Sequence, residues 1–168
     1  MSDSILPSAL VDAGTECGRL LRERGETVAI AEGSAGGLIS VALLTVPGAS
    51  AYYLGGSVIY TGAALKGMLR GQVELPNPVQ GASEPWVKYL GEAARVHLGA
   101  TWGIGEGGAA GPSGNPYGDP AGHAWVAVSG PVDATRHLLT GIDDRAANMV
   151  SFATAALELL TEVIAKAP

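Results

Sequence analysis

Residues 27–31 form an apolar run that passes into Glu32-Gly33-Ser34-Ala35-Gly36-Gly37, and residues 36–46 then read as a short apolar helix. A strand, a turn of small residues and a helix in that order point to layered α/β architecture. The same turn offers free backbone N–H groups at the positive end of a helix, which favours an anion, and its glycines let a ligand approach the backbone. The turn lacks the lysine of a P-loop and does not match the dinucleotide fingerprint, so on its own it is a weak signal.

The rest of the composition narrows the fold further. A chain of 168 residues fits one domain, residues 1–168, with 47% hydrophobic and 15% charged residues, as in a globule rather than a disordered chain. With 25 glycines and only 5% aromatic residues, small side chains must make the contacts between helices and sheet. The net charge of −6, with only 10 Lys and Arg, argues against a nucleic-acid partner. Cys17 is the single cysteine, which excludes a disulfide framework or a cysteine zinc site and reads as buried packing. His97 and His137 have no partners at ligand spacing, so no metal and no cofactor is expected. No leader is visible and no window approaches the roughly 18 apolar residues of a membrane span, so a cytoplasmic location is expected.

Along the chain, residues 5–24 read as a helix stopped by Gly25, with Leu6, Leu10, Ala13, Cys17, Leu20 and Leu21 at helical spacing. Residues 56–60 read as a strand after a brief segment at 49–54, and 61–70 as a helix. A loop is expected over 72–82, then a helix capped by Ser83 and running to residue 98. Strands are predicted at 101–105, 124–129 and 135–140, the last two as a hairpin. Residues 107–122 form a 16-residue loop, a length usually tied to function or disorder. A closing helix spans 143–165, with acidic residues in its first turn. The expected fold is a three-layer α/β/α sandwich on a mixed sheet of about five strands, with turns 32–37, 61–64 and 105–122 converging on a pocket.

Several segments, in order over nearly the whole chain, resemble the CinA C-terminal domain family, the nicotinamide-nucleotide deamidases. Ala31 to Gly37 is similar to that family's Ala-Glu-Ser-Cys-Thr-Gly-Gly, and Pro47-Gly48-Ala49-Ser50-Ala51 to its Pro-Gly-Ser-Ser-Ala. The strand ending at Tyr60 resembles one ending in Val-Thr-Tyr-Ser-Asn, and Gly81-Ala82-Ser83-Glu84-Pro85 lacks one residue of Gly-Ala-Val-Ser-Glu. Ala109-Ala110-Gly111-Pro112 and Pro120-Ala121-Gly122-His123-Ala124-Trp125 look like Ile-Ala-Gly-Pro and Pro-Val-Gly-Thr-Val-Trp, and Thr140-Gly141 with Asp144-Arg145 looks like the turn opening the last helix.

The resemblance implies hydrolysis of nicotinamide mononucleotide to nicotinate mononucleotide and ammonia, by a serine assisted by a lysine and a tyrosine. The serine position falls on Gly33 and the lysine position on Leu65, while Tyr60 keeps the tyrosine. Gly62, Gly107, His123 and Met149 also depart from the family pattern. Three readings stay open. Ser34 as nucleophile with Lys66 as base and Tyr60 assisting would retain hydrolysis in a shifted register. Ser34, His123 and Glu106 could form a new nucleophile, base and orienter. Otherwise the chain binds a nucleotide or other small molecule, or assembles through a Tyr52-Tyr53-Leu54 segment taken as exposed, without catalysis. Catalytic candidates are therefore Ser34, Tyr60 and Lys66. The candidate ligand contacts are Glu32, Gly33, Ala35, Gly36, Gly37, Glu106, Gly107, Gly111 and His123, with a phosphate at the amides of 35–37. Homo-oligomers are expected for such a fold.

Overall fold

The computed structural model describes residues 5–69, 71 and 73–168, so the expected helix end at 70 and loop start at 72 lie outside the described residues. The elements in order are α1 (Ser8–Arg24), β1 (Val28–Glu32), α2 (Leu38–Leu44), a 3-10 turn (Ala49–Ala51), β2 (Tyr53–Val58), α3 (Gly62–Met68), α4 (Glu84–Leu98), β3 (Trp102–Gly108), β4 (His123–Ser129), β5 (Ala134–Leu139) and α5 (Arg145–Lys166). They build one five-stranded sheet in the order β2-β1-β3-β4-β5. β1 pairs parallel with β2 and β3, and β4 is antiparallel to both β3 and β5. The mixed five-stranded sheet is the expected one.

Every residue of β1 is buried, as a parallel strand covered on both faces must be. Its alternate side chains serve opposite layers. Val28 and Ile30 join the core built with Leu10, Leu21, Leu43, Leu157 and Leu160, on the side of α1, α2 and α5. Ala29 and Ala31 face a smaller core with Tyr89, Leu90 and Ala93 of α4 and the partly buried Leu65 of α3. Each large side chain that leaves water in this way contributes roughly 1.5–3 kcal/mol. Cys17 is buried in α1, and desolvation pushes its thiol up to about 12, in keeping with a packing role.

Several boundaries differ from those expected. α1 starts at Ser8 because Pro7, at φ −56° and ψ 140°, stands at its N-cap. α2 starts at Leu38 because Gly36 and Gly37 take φ of 67° and 104°, outside the right-handed helix. β2 lies at Tyr53–Val58 rather than 56–60, since its register matches Val28 with Tyr53 and Glu32 with Val58. β3 continues through Gly108, where it still pairs with Ala124. Asp144 is the N-cap of α5, accepting from the Ala147 N–H at 2.8 Å, and the first helical turn carries no acid. Tyr52 is fully buried and donates to the Leu43 carbonyl at 2.7 Å, so of the supposed exposed segment only Leu54 is open to solvent.

Among the described residues α5, of 22 residues, alone is long and apolar enough to cross a membrane, with a mean hydropathy of 1.3 over an 18-residue window. Its Phe152, Leu157 and Leu160 are fully buried, so the helix spends its apolar side on the core of the protein.

Candidate functional site

The chain leaves β1 for α2 and β2 on one side, then returns through α3 and α4 to β3 on the other side of β1. Such a reversal opens a crevice at the carboxyl ends of β1 and β3. Of the turns expected to converge, 32–37 and 105–122 meet there, while 61–64 adds no residue to the cleft that lies beside them. Gly33 N–H donates to the Glu106 carbonyl at 3.0 Å, continuing the register that sets Glu32 opposite Glu106. A cleft of about 150 Å³ lies beside this junction, lined by Gly33, Ile59, Tyr60, Gly81, Ala82, Trp86, Gly107, Gly108, Asn115 and Tyr117.

Below the cleft, the 32–37 turn folds around two carboxylates. Glu106 is fully buried; its Oε2 accepts from the Gly33 N–H at 3.0 Å and the Ala35 N–H at 2.8 Å, and its Oε1 accepts from the Ser34 hydroxyl. Glu32, also buried, accepts from the Gly37 and Ile39 N–H groups at 2.9 and 3.1 Å. It accepts from both the N–H and the hydroxyl of Ser40 as well, at 3.1 and 2.7 Å. Desolvation raises both carboxyls against the lowering effect of these donors, and Glu106 is pushed up to about 7.

This arrangement corrects the expected phosphate site. The Ala35 and Gly37 amides already donate to carboxylates, and the Gly36 amide donates to the Gly33 carbonyl at 3.2 Å. An anion would meet two acidic side chains and no vacant donor on this stretch. Met149 also lies over Gly36, where an added Cβ would stand 2.8 Å from its Cε.

The catalytic candidates do not gather. Ser34 turns its hydroxyl to Glu106 and is not among the lining residues of the cleft. Leu65 packs against the α4-side core, and Lys66, one place on, is exposed on α3. Tyr60 does reach the cleft; its phenol oxygen accepts from Arg145 Nη2 at 3.1 Å. Arg145 Nη1 donates to the carbonyl of Gly111, a residue at φ 105°. Ser34 and Glu106 meet, but His123 belongs to a different network. Its Nε2 lies 2.8 Å from the Ala82 carbonyl and 3.6 Å from Asp119, and its Nδ1 lies 3.0 Å from His137. The Ser-His-Glu triad is therefore not assembled, and His137, read as partnerless, has His123 and the Trp125 ring beside it.

Gly107 and Gly33 both supply backbone to the cleft wall. A Cβ on Gly33 would stand 3.3 Å from the Glu106 carbonyl oxygen and 3.6 Å from that of Ile59, so the floor there is acceptor-lined backbone. Sequence reasoning missed Trp86 and Tyr117. The Trp86 indole, on α4, lies 3.3 Å from where a Cβ on Gly107 would stand. Tyr117 sits in the long loop that sequence length had flagged, held by Asn115, whose Oδ1 accepts from the N–H groups of Tyr117 and Asp119 at 3.0 Å each. Among the described residues no cluster of three or more His, Cys, Asp or Glu side chains could hold a metal ion.

Comparison with known proteins supplies a frame for this geometry. Residues 12–164 match the CinA C-terminal domain. A CinA-like protein of Prochlorococcus marinus is 40% identical over 129 residues, 77% of this chain and 28% of the relative. Another, from Desulfosudis oleivorans, is 35% identical over 161 residues, 95% of this chain and 39% of the relative. The chain thus spans well under half the length of these curated relatives. The crystal structure of a competence-damaged protein (CinA) superfamily protein from Klebsiella pneumoniae superposes with a TM-score of 0.84 at 27% identity, covering 93% of this chain and 98% of that one. A competence/damage-inducible protein from Agrobacterium tumefaciens gives 0.86 at 25% identity, covering 95% and 98%.

Proposed function

Because the chain belongs to the CinA C-terminal domain family, we propose that it is a small-molecule-binding member that receives a nicotinamide-type ring in the cleft without hydrolysing its amide. The observation that carries this reading is the absence of a reacting pair among the described cleft residues. The Ser34 hydroxyl is committed to Glu106, Leu65 faces the core, Lys66 faces solvent, and Gly33 has no side chain. A nucleophile and base that act as one unit lose nearly all their effect when either is missing. Tyr60, Trp86 and Tyr117 still provide aromatic surface for a flat ring.

A second reading is amide hydrolysis to nicotinate mononucleotide and ammonia. It draws on the Ser34–Glu106 contact, since a carboxyl near 7 has the basicity of a working general base. Ammonia release separates the two. The purified chain is expected to release none above a blank from nicotinamide mononucleotide or its riboside, while the riboside quenches tryptophan emission. Turnover that disappears in Ser34→Ala would reject the binding reading.

A further inference from the structure

We infer that the cleft selects an unphosphorylated planar aromatic cation, such as an N-ribosylated pyridinium, and disfavours the corresponding nucleotide. This deepens the binding reading above and rests on it. Size is the first argument. A volume of about 150 Å³ is well below the roughly 300–1,000 Å³ of clefts that enclose drug-sized ligands, so it holds one ring and leaves the rest outside.

Charge is the second argument. Among the described lining residues there is no lysine or arginine. The backbone donors that could have served a phosphate at the 35–37 turn are taken by Glu106, Gly33 and Glu32. Met149 covers Gly36 with an apolar methyl. The nearest guanidinium on the Tyr60 side, Arg145, directs one nitrogen to the Tyr60 hydroxyl and another to the Gly111 carbonyl.

What the cleft does offer suits a cation. The Ile59 carbonyl oxygen, 3.6 Å from where a Cβ on Gly33 would stand, borders it, while the Glu106 carbonyl and carboxyl, outside the lining, both accept from the Gly33 N–H at 3.0 Å. Trp86 and Tyr117 come within reach of Gly107 and Gly81, the Tyr117 ring 3.7 Å from a Cβ built on Gly81, so ring faces and edges border the space. A cation over such rings gains electrostatically from their quadrupoles, more so where water is displaced. The indole N–H of Trp86 makes no hydrogen bond among the described residues and is free to meet a carboxamide oxygen.

Isothermal titration of the whole chain with nicotinamide riboside, nicotinamide mononucleotide and benzamide tests this. The riboside is expected to bind at least ten-fold more tightly than the mononucleotide, and benzamide, which lacks the charge, to fall between them. Tighter binding of the mononucleotide would overturn the inference while leaving the binding reading in place, and its loss in Arg145→Ala would assign the phosphate contact. Benzamide equal to or tighter than the riboside would overturn the cation requirement. Failure of all three ligands to bind would overturn both readings together. Tyr117→Ala, at a half-exposed loop position where folding is not at stake, is expected to weaken the riboside several-fold; an unchanged affinity would overturn the aromatic wall and with it the inference.

Discussion

Glu106 is the residue on which the site turns. Burial lifts its carboxyl from 4.5 to about 7, so between those values the folded chain holds a proton that the unfolded chain has released. Stability contributed by this group is fully present below about pH 4.5 and is lost as pH rises through about 7. The shift corresponds to an upper bound of about 3 kcal/mol at 1.36 kcal/mol per unit. Glu32, also raised by desolvation, adds in the same direction. Urea unfolding at pH 5 and pH 8 should therefore show a smaller loss of stability for Glu106→Gln than for the native chain; equal losses would reject the assignment. Ser34→Ala removes one donor to a buried carboxylate oxygen and is expected to destabilise the chain by about 1–3 kcal/mol at pH 8 in the same assay. Ser34 and Glu106 were each legible as candidates, but their pairing was not. They are 72 residues apart, and only the parallel register of β1 with β3 brings them together. The supposed phosphate donors failed only in part for that reason: Glu106 reaches the Ala35 amide across the sheet, whereas the Gly36 and Gly37 amides are filled within the turn, by the Gly33 carbonyl and by Glu32.

At the scale of elements, the glycines of β3 explain both what the sequence reading caught and what it lost. A glycine-rich strand contradicts β-propensity, so the predicted strand stopped at 105 where the real one runs to Gly108. The abundance of glycine had, however, pointed to close helix–sheet packing, and α4 shows it. The Val87 carbonyl occupies the place a Cβ on Gly105 would take, with the Gly91 nitrogen 2.6 Å away. The carbonyl of Gly91 does the same over Gly103. Gly105→Ala must push α4 off the sheet and is expected to cost at least about 3 kcal/mol, the upper range for overpacking. Gly67→Ala makes the contrast. Its Cβ would meet nothing within 4 Å on α3, and helix propensity then favours alanine by about 0.5–1 kcal/mol. Denaturant midpoints of the two variants should move in opposite directions, and a shift of the same sign in both would refute this account of the glycines.

On the scale of the whole molecule, β3 decides how the chain should unfold. It pairs with β1 on one side and β4 on the other, and it is covered on one face by α4 and on the other by the core that includes α1, α2 and α5. No layer can leave without exposing a face of this strand. The three tryptophans report on different parts of that arrangement. Trp102 is fully buried at the start of β3, with its Nε1–H donated to Glu26 at 2.7 Å; Trp86 borders the cleft, and Trp125 lies on β4 beside His137. If the described residues form one cooperative unit, fluorescence and far-UV circular dichroism must give the same urea midpoint. Removing each tryptophan in turn by Trp→Phe must leave the two probes coincident, even where the midpoint itself falls. Separate midpoints, with the cleft-side signal lost first, would mean that the α4 layer unfolds ahead of the α1–α2–α5 layer and that the sheet does not couple them.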